Sequence, residues 1–173
     1  MPPGETTVSE GGGALAGPEA VFAALDYPMA VATVRRGAAQ AGCLVGFHTQ
    51  CSINPARYMV CISLANRTAR VARRAAALAV HFLSTSDTAL AHVFGEETGD
   101  DVDKFAQCAW DPGPFELPLI RHTGSWLAGP IVERRVLGDH QALIIDAQCG
   151  GGRPPGEQLR YTDVKDFRPG HPA

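Results

Sequence analysis

The segment Gly46 to Pro55, GFHTQCSINP, sets the phenyl ring of Phe47, the imidazole of His48, the amide of Gln50, the thiol of Cys51 and the hydroxyls of Thr49 and Ser52 between two apolar runs. The flanking stretches AQAGCLVG and RYMVCISL read as strands. The polar segment is therefore expected to be a loop leaving a sheet, and such loops tend to hold ligands. Thr49, Gln50 and Ser52 would offer it hydrogen-bond donors. A second group, Asn66, Arg67 and Thr68, opens a run with helical spacing, where free N–H groups and the positive end of the helix dipole favour an anion. Spacing alone also fits a plainer account, in which Asn66 or Thr68 caps the helix and Arg67 is solvated.

A third group, Gly138, Asp139 and His140, joins two long strands. A hairpin turn explains Gly and Asp by their backbone angles and leaves His140 incidental. Lys104 and Phe105 follow Asp103, a charged pair beside an aromatic, which by itself reads as a solvated loop with one buried ring. His81, His92, His122 and His171 show no metal-ligand spacing. The five cysteines, Cys43, Cys51, Cys61, Cys108 and Cys149, are odd in number and contain no C-x-x-C pair, which argues against a disulfide framework and a zinc knuckle. Cys61 sits in an apolar strand as a small hydrophobe, whereas Cys51 lies in the polar segment. No G-x-G-x-x-G, Walker loop, H-E-x-x-H or G-x-S-x-G is present, so any reaction here would be carried by a cofactor.

The elements that must position these groups are short. At 173 residues the chain fits one domain, and 45% hydrophobic with 19% charged residues is an ordinary globular balance. A formal charge of -3 offers no basic footprint for nucleic acid. No apolar run is long enough to span a bilayer, and the N-terminus lacks a signal-peptide pattern, so a cytoplasmic protein is expected. Residues 1–17 read as a disordered leader, 18–165 as one domain and 166–173 as a tail. Within the domain the pattern predicts a short helix at PEAVFAALD, with Val21, Phe22 and Leu25 on one face. Strands follow at YPMAVATVRR, AGCLVGF and RYMVCISL, then a helix at NRTARVARRAAA and a strand at LAVHFLS. A second helix, TSDTALAHVFG, is expected to be capped by Thr85 or Ser86 and to lead into an acidic loop with one helical turn. The strands SWLAGPIVERRVLG and DHQALIIDAQC make a hairpin, Gly150 to Pro155 a loop, and EQLRYTDV a last strand. Many short strands with few helices predict a mainly β fold with short helices and a β-barrel core.

The succession MAVATVRR, GCLVGFHTQCSINP, YMVCISLANRTARVARRAAALAVHFLS, LAHVFGEETGDDVDKFAQCAW and VLGDHQALIIDAQ, from about Pro28 to Tyr161, resembles the flavin reductase family with its FMN-binding split β-barrel. It is most similar to the small NAD(P)H:flavin oxidoreductases that supply reduced flavin to two-component monooxygenases. The resemblance implies FMN or FAD as cofactor, NADH or NADPH as hydride donor, a homodimer and a monooxygenase partner. It places Val45, Gly46, Phe47, His48, Thr49, Gln50, Cys51 and Ser52 around the flavin, with Asn66, Arg67 and Thr68 at its phosphate. Lys104 and Phe105 would lie near the flavin, and His140 would receive the nicotinamide dinucleotide.

The chain departs from the family where many relatives carry S-S-x-x-S-V-S and this one has Gly46 to Ser52. Fewer hydroxyls face the cofactor, which leaves the choice among FMN, FAD and a deazaflavin open. His48 would be either a proton donor near the ring or a structural hydrogen-bonding residue. Two other readings accompany the reductase: a flavin carrier or sensor without turnover, and a flavin- or deazaflavin-dependent oxidase or cyclase acting on a specialised metabolite at His48.

Overall fold

Strands dominate because β-branched and small apolar residues alternate along the chain, and two of the strands are apolar on both faces. The computed structural model describes residues 16–121, 123–154 and 156–170. The elements run α1 (Pro18–Ala24), β1 (Ala30–Arg36), β2 (Ala39–Val45), β3 (His48–Ser52), β4 (Arg57–Ser63), α2 (Arg67–Ala72), β5 (Ala77–Phe82) and α3 (Thr88–Glu96). There follow β6 (Trp110–Pro112), β7 (Pro118–Ile120), β8 (Ser125–Leu137), β9 (His140–Asp146), β10 (Cys149–Gly152) and α4 (Tyr161–Val164). Seven strands pair antiparallel in the order β2-β1-β5-β8-β9-β4-β3, with β10 on β8. The sheet is a mainly β, curled half-barrel with few helices, as the strand pattern predicts.

The two faces of β1 and β5 explain the layers. Ala30, Ala32, Val34, Leu78 and Val80 point into the curl, where they pack with Cys43, Val60, Ile62, Leu143 and Ile145 and with Ala69 and Ala72 of α2. On the opposite face Met29, Val31 and Leu83 pack with Ala91 and Phe94 of α3 and with Phe105 and Val164, while Ala77 and Ala79 pack with Leu117 and Ala128. Thr33 and His81 share this outer face and hold the small β6–β7 hairpin. Thr33 Oγ1 donates to Pro118 O at 2.9 Å, and Ile120 N–H donates to His81 Nε2 at 3.2 Å. A strand buried on both sides reads as a near-continuous apolar run, which is the pattern in YPMAVATV and LAVHFL.

Several expectations need correction. The polar segment after β2 is not a loop but an edge strand, β3, whose pairing with β4 shifts register at Cys51. Its side chains are polar because an edge strand with solvent on it needs no apolar face. The β6–β7 hairpin has no counterpart in the sequence reading, since three-residue strands containing proline read as loop. The strand expected to run to Cys149 ends at Asp146, and Cys149–Gly152 forms β10, reaching into the loop expected from Gly150 to Pro155. In EQLRYTDV only Gln158 and Arg160 make isolated bridges; Tyr161–Val164 is helical, begun by Asp163, whose carboxylate accepts the Arg160 N–H at 2.8 Å. The helical turn before α3 starts at Ser84, with Asp87 accepting its N–H and Oγ–H at 2.8 Å, rather than at Thr85 or Ser86. Val21, Phe22 and Leu25 of the α1 region stay exposed. Most of the expected leader, the last three residues of the expected tail, His122 and His171 lie outside the described residues.

His81 is fully buried, and burial drives its imidazole down to about 3. Nε2 accepts from Ile120, so the ring proton sits on Nδ1, which finds no partner among the described residues. Above about pH 6.5 the ring is neutral folded or unfolded. Between there and about pH 3 the unfolded chain takes up a proton that the folded chain refuses, so stability falls as pH falls. Thermal melts from pH 7 to pH 4 are expected to show a declining midpoint whose slope is reduced in His81→Gln; parallel slopes in the two proteins would remove His81 as the cause.

Candidate functional site

Two clefts flank the start of α2. The first, with a volume of about 380 Å³, lies between the ends of β2 and β4 and the C-terminal segment, and Val45, Gly46, Phe47, Asn66 and His140 line it. The second, about 400 Å³, lies between the β1–β2 turn and the acidic loop, lined by Arg67, Thr68, Lys104 and Phe105 with Asp100, Asp101 and Asp103. Asn66 and Arg67 are consecutive, so the clefts meet at the head of the helix.

The floor of the first cleft is apolar and its rim aromatic. The Tyr27 ring lies 5.3 Å from that of Tyr161 and 5.9 Å edge-on to Phe47, whose ring is 5.3 Å from His140. Gly46 permits this stack, because a Cβ there would come within 3.2 Å of the Tyr27 ring and 3.3 Å of Met29 Sδ. A serine at this position would crowd Tyr27, which is a physical reason for the departure from the serine-rich pattern. Phe47 O accepts the Cys61 N–H at 2.8 Å and fixes the corner between β2 and β3. Cys43 and Cys61 also line the cleft. Burial pushes the Cys43 thiol up to about 11 and raises Cys61, so neither is a thiolate nucleophile at neutral pH.

His140 opens β9 opposite Leu137, which leaves Gly138 and Asp139 as a two-residue turn with Gly138 at φ +60°. Its Nδ1 lies 2.7 Å from Asp139 Oδ1. That hydrogen bond holds the Asp139 carboxyl below its usual range. A donating Nδ1–H leaves Nε2 as the unprotonated ring nitrogen of the neutral imidazole.

At the head of α2 the capping role of Asn66 is realised: its Oδ1 accepts the Thr68 N–H at 2.8 Å. Arg67 is not simply solvated, for its Nη1 donates to Gly99 O at 2.9 Å across the mouth of the second cleft. Thr68 is 1% exposed, and its Oγ1 makes no hydrogen bond of good geometry among the described residues, its neighbour there being the Cys43 thiol, which it steadies weakly as a thiolate.

Lys104 is 4% exposed, and its ammonium donates to Phe94 O at 3.1 Å and reaches Gly42 O at 3.5 Å, tying α3 to β2. Burial lowers its value, against the opposing pull of Cys43 and Glu97. Phe105 is buried edge-on to Phe94 and Trp110.

The remaining expected residues fall elsewhere. Thr49, Gln50, Cys51 and Ser52 run along the edge strand and line neither cleft, and Gln50 Nε2 donates to Ser52 O at 3.0 Å. His48 lines neither cleft, and both its ring nitrogens are engaged. Nε2–H donates to Pro28 O at 2.9 Å, and Nδ1 lies 2.7 Å from the Tyr58 hydroxyl. Burial lowers its value, which keeps the ring neutral.

Sequence reading missed Tyr27, Ser63 and the whole C-terminal wall, Tyr161 to Pro169. Tyr161, Val164 and Phe167 recur every third residue, and that helical spacing was the available signal. Phe167 stacks on His92 at 3.9 Å, and the Arg168 N–H donates to Glu96 Oε1 at 2.9 Å, which anchors the wall to α3.

The family model for the flavin reductase like domain matches residues 22–163. Among solved structures, a flavin reductase domain protein from Arthrobacter sp. FB24 is similar at 19% identity with TM-score 0.77, over 90% of this chain and 93% of that one. The NADH:FAD oxidoreductase of Streptomyces globisporus C-1027 has TM-score 0.75 and 21% identity, covering 81% of this chain and 83% of the other. A nitrilotriacetate monooxygenase component B homolog from Mycobacterium thermoresistibile has TM-score 0.73 and 17% identity, over 81% and 78%. These likenesses establish the shared split-barrel fold. No protein of curated function matches the chain by sequence.

Lys104→Met would leave two buried carbonyls without their donor, a loss on the order of 1–3 kcal/mol. The thermal midpoint is expected to fall while the variant's flavin affinity, measured below that midpoint, stays near the parent value. A loss of affinity with unchanged melting would instead make Lys104 a ligand-contacting residue.

Proposed function

Because this chain belongs to the flavin reductase like domain family, we propose that it is an NAD(P)H:flavin oxidoreductase that binds FMN or FAD in the first cleft and delivers reduced flavin to a monooxygenase partner. The observation that carries this reading is the pairing of an apolar, aromatic-rimmed cleft with the Arg67 guanidinium and the buried Thr68 hydroxyl of the adjoining cleft, at the point where the two clefts meet. A flat ring with a charged tail needs that combination: an apolar slot at one end and donors at the other.

A bound flavin supplies the capacity to accept a hydride, which no side chain has. The protein's own part is positioning. Phe47 and Tyr27 form a water-excluding wall for the ring, and backbone N–H groups from Val45 to Phe47, which line the cleft, are assigned to its polar edge in place of the wider span that runs on to His48. Thr68 Oγ–H and the Arg67 guanidinium are assigned to the phosphate, the arginine keeping its hold on Gly99. His140, steadied by Asp139, presents Nε2 as an acceptor for the nicotinamide carboxamide and so orients the dinucleotide over the ring. Ser52 lies on the edge strand, away from both clefts, and takes no part in the phosphate assignment. The oxidase reading centred on His48 is not carried further, since both ring nitrogens are engaged.

The NADH:FAD oxidoreductase of similar fold supports flavin with a nicotinamide donor, and the component B homolog supports a monooxygenase partner. Exposed Val132, Val136 and Leu137 on β8 supply apolar surface for the proposed homodimer.

The test is anaerobic. Purified protein with FMN, then FAD, is mixed with NADH or NADPH and the flavin absorbance followed. Bleaching faster than free flavin with the same dinucleotide is expected; flavin that binds without bleaching would leave a carrier or sensor in place of a reductase. In the same assay His140→Ala is expected to raise KM for the dinucleotide about fivefold with flavin affinity unchanged, a loss of roughly 1 kcal/mol. Arg67→Ala combined with Thr68→Val is expected to weaken FMN about tenfold or more and riboflavin little, since riboflavin has no phosphate. Equal losses for the two ligands would move the phosphate elsewhere.

A further inference from the structure

The first cleft is electrostatically one-sided. Lys165 is the one formally charged side chain among the described residues that line it, and no carboxylate lines it. The second cleft, by contrast, balances Arg67 and Lys104 against three aspartates. Lys165 forms no ion pair among the described residues, and the acids near it in sequence, Asp163 and Asp166, do not line the cleft.

The backbone that carries Lys165 is pinned on both sides. Val164 is 5% exposed in the core beneath α3, the Phe167 N–H donates to Val164 O at 2.9 Å, and Phe167 stacks on His92. The side chain thus starts from a fixed point at the cleft wall. Lys165 is exposed and its ammonium is solvated, yet it is the one formal charge lining a largely apolar cleft, so the field there has a single sign and draws in an anion.

Resting on the flavin-binding reading, we infer that Lys165 is the anion-binding residue of the first cleft, contributed by the C-terminal segment, and that it holds a negative charge of the bound flavin. That charge is either the phosphate or the one that develops on the ring when it is reduced. Lys165 is accordingly a specificity-determining residue for flavin, additional to Arg67 and Thr68.

The experiment compares the full chain with Lys165→Gln and Lys165→Arg, measuring dissociation constants for FMN and riboflavin, each oxidised and chemically reduced. Because Lys165 is solvent-exposed and unpaired, all three proteins are expected to melt alike. Lys165→Gln is expected to lose about tenfold in affinity for at least one anionic form, with Lys165→Arg restoring most of it. A loss for FMN and none for oxidised riboflavin identifies the phosphate; a loss confined to the reduced forms of both ligands identifies the ring. Unchanged binding of all four forms, or an equal loss across all four, overturns the assignment, the latter marking a packing role. If the parent protein binds neither FMN nor riboflavin, the functional reading itself fails, and that outcome is read without any variant.

Discussion

Burying β1 and β5 on both faces is the constraint on which the rest of the structure depends. One face of these strands closes the interior of the curled sheet with α2 as its plug. The other face has to be covered by something outside the sheet, and the chain uses α3, the β6–β7 hairpin and the C-terminal segment. The polar residues on that outer face, Thr33 and His81, are tolerated because each binds a backbone group of the covering hairpin. The cover then does a second job, since its free edge from Tyr161 to Pro169 becomes a wall of the first cleft.

The same arrangement sets the electrostatics of the two clefts. Helix α2 buries Thr68, Ala69 and Ala72, and the half-buried consecutive residues Asn66 and Arg67 at its head line different clefts. Charges of both signs collect in the second cleft because the acidic loop folds over Arg67 and Arg70, the latter paired with Asp100. The first cleft inherits its apolar floor from strand residues of the interior and outer cores and receives its cation from a segment distant in sequence. Two neighbouring recesses of similar volume therefore differ sharply in chemistry.

Much of the fold was legible. The apolar runs of β1, β2, β4, β5, β8 and β9 bury at least one face each, and burial on a regular period leaves a pattern in the residues themselves. The caps were partly legible: Asn66 was one of two residues placed to cap α2, whereas the turn before α3 starts at Ser84, just ahead of Thr85 and Ser86, the two hydroxyls favoured by spacing. What failed was segments stabilised by pairing rather than by their own composition. β3, β6, β7 and β10 are short, polar or glycine- and proline-rich, and each is a strand only because a neighbour supplies the other half of its hydrogen bonds.

For the site, spacing alone left Asn66 to Thr68 as a helix cap and His140 as an incidental turn residue, and it was the resemblance carried by the order of segments that singled out these residues and Val45 to Phe47 and named the family. Which of them face a common space was decided by the tertiary structure. Period-two geometry and the corner at Phe47 send His48 toward Tyr58 and Thr49 to Ser52 along an open edge, while Phe47 turns onto His140. Lys104 shows the same division: a lysine before a phenylalanine is visible as a motif, yet only packing determines that its ammonium binds the carbonyls of Phe94 and Gly42. Local pattern records what a residue prefers; the direction of its side chain and the company it keeps depend on strands and helices far away along the chain.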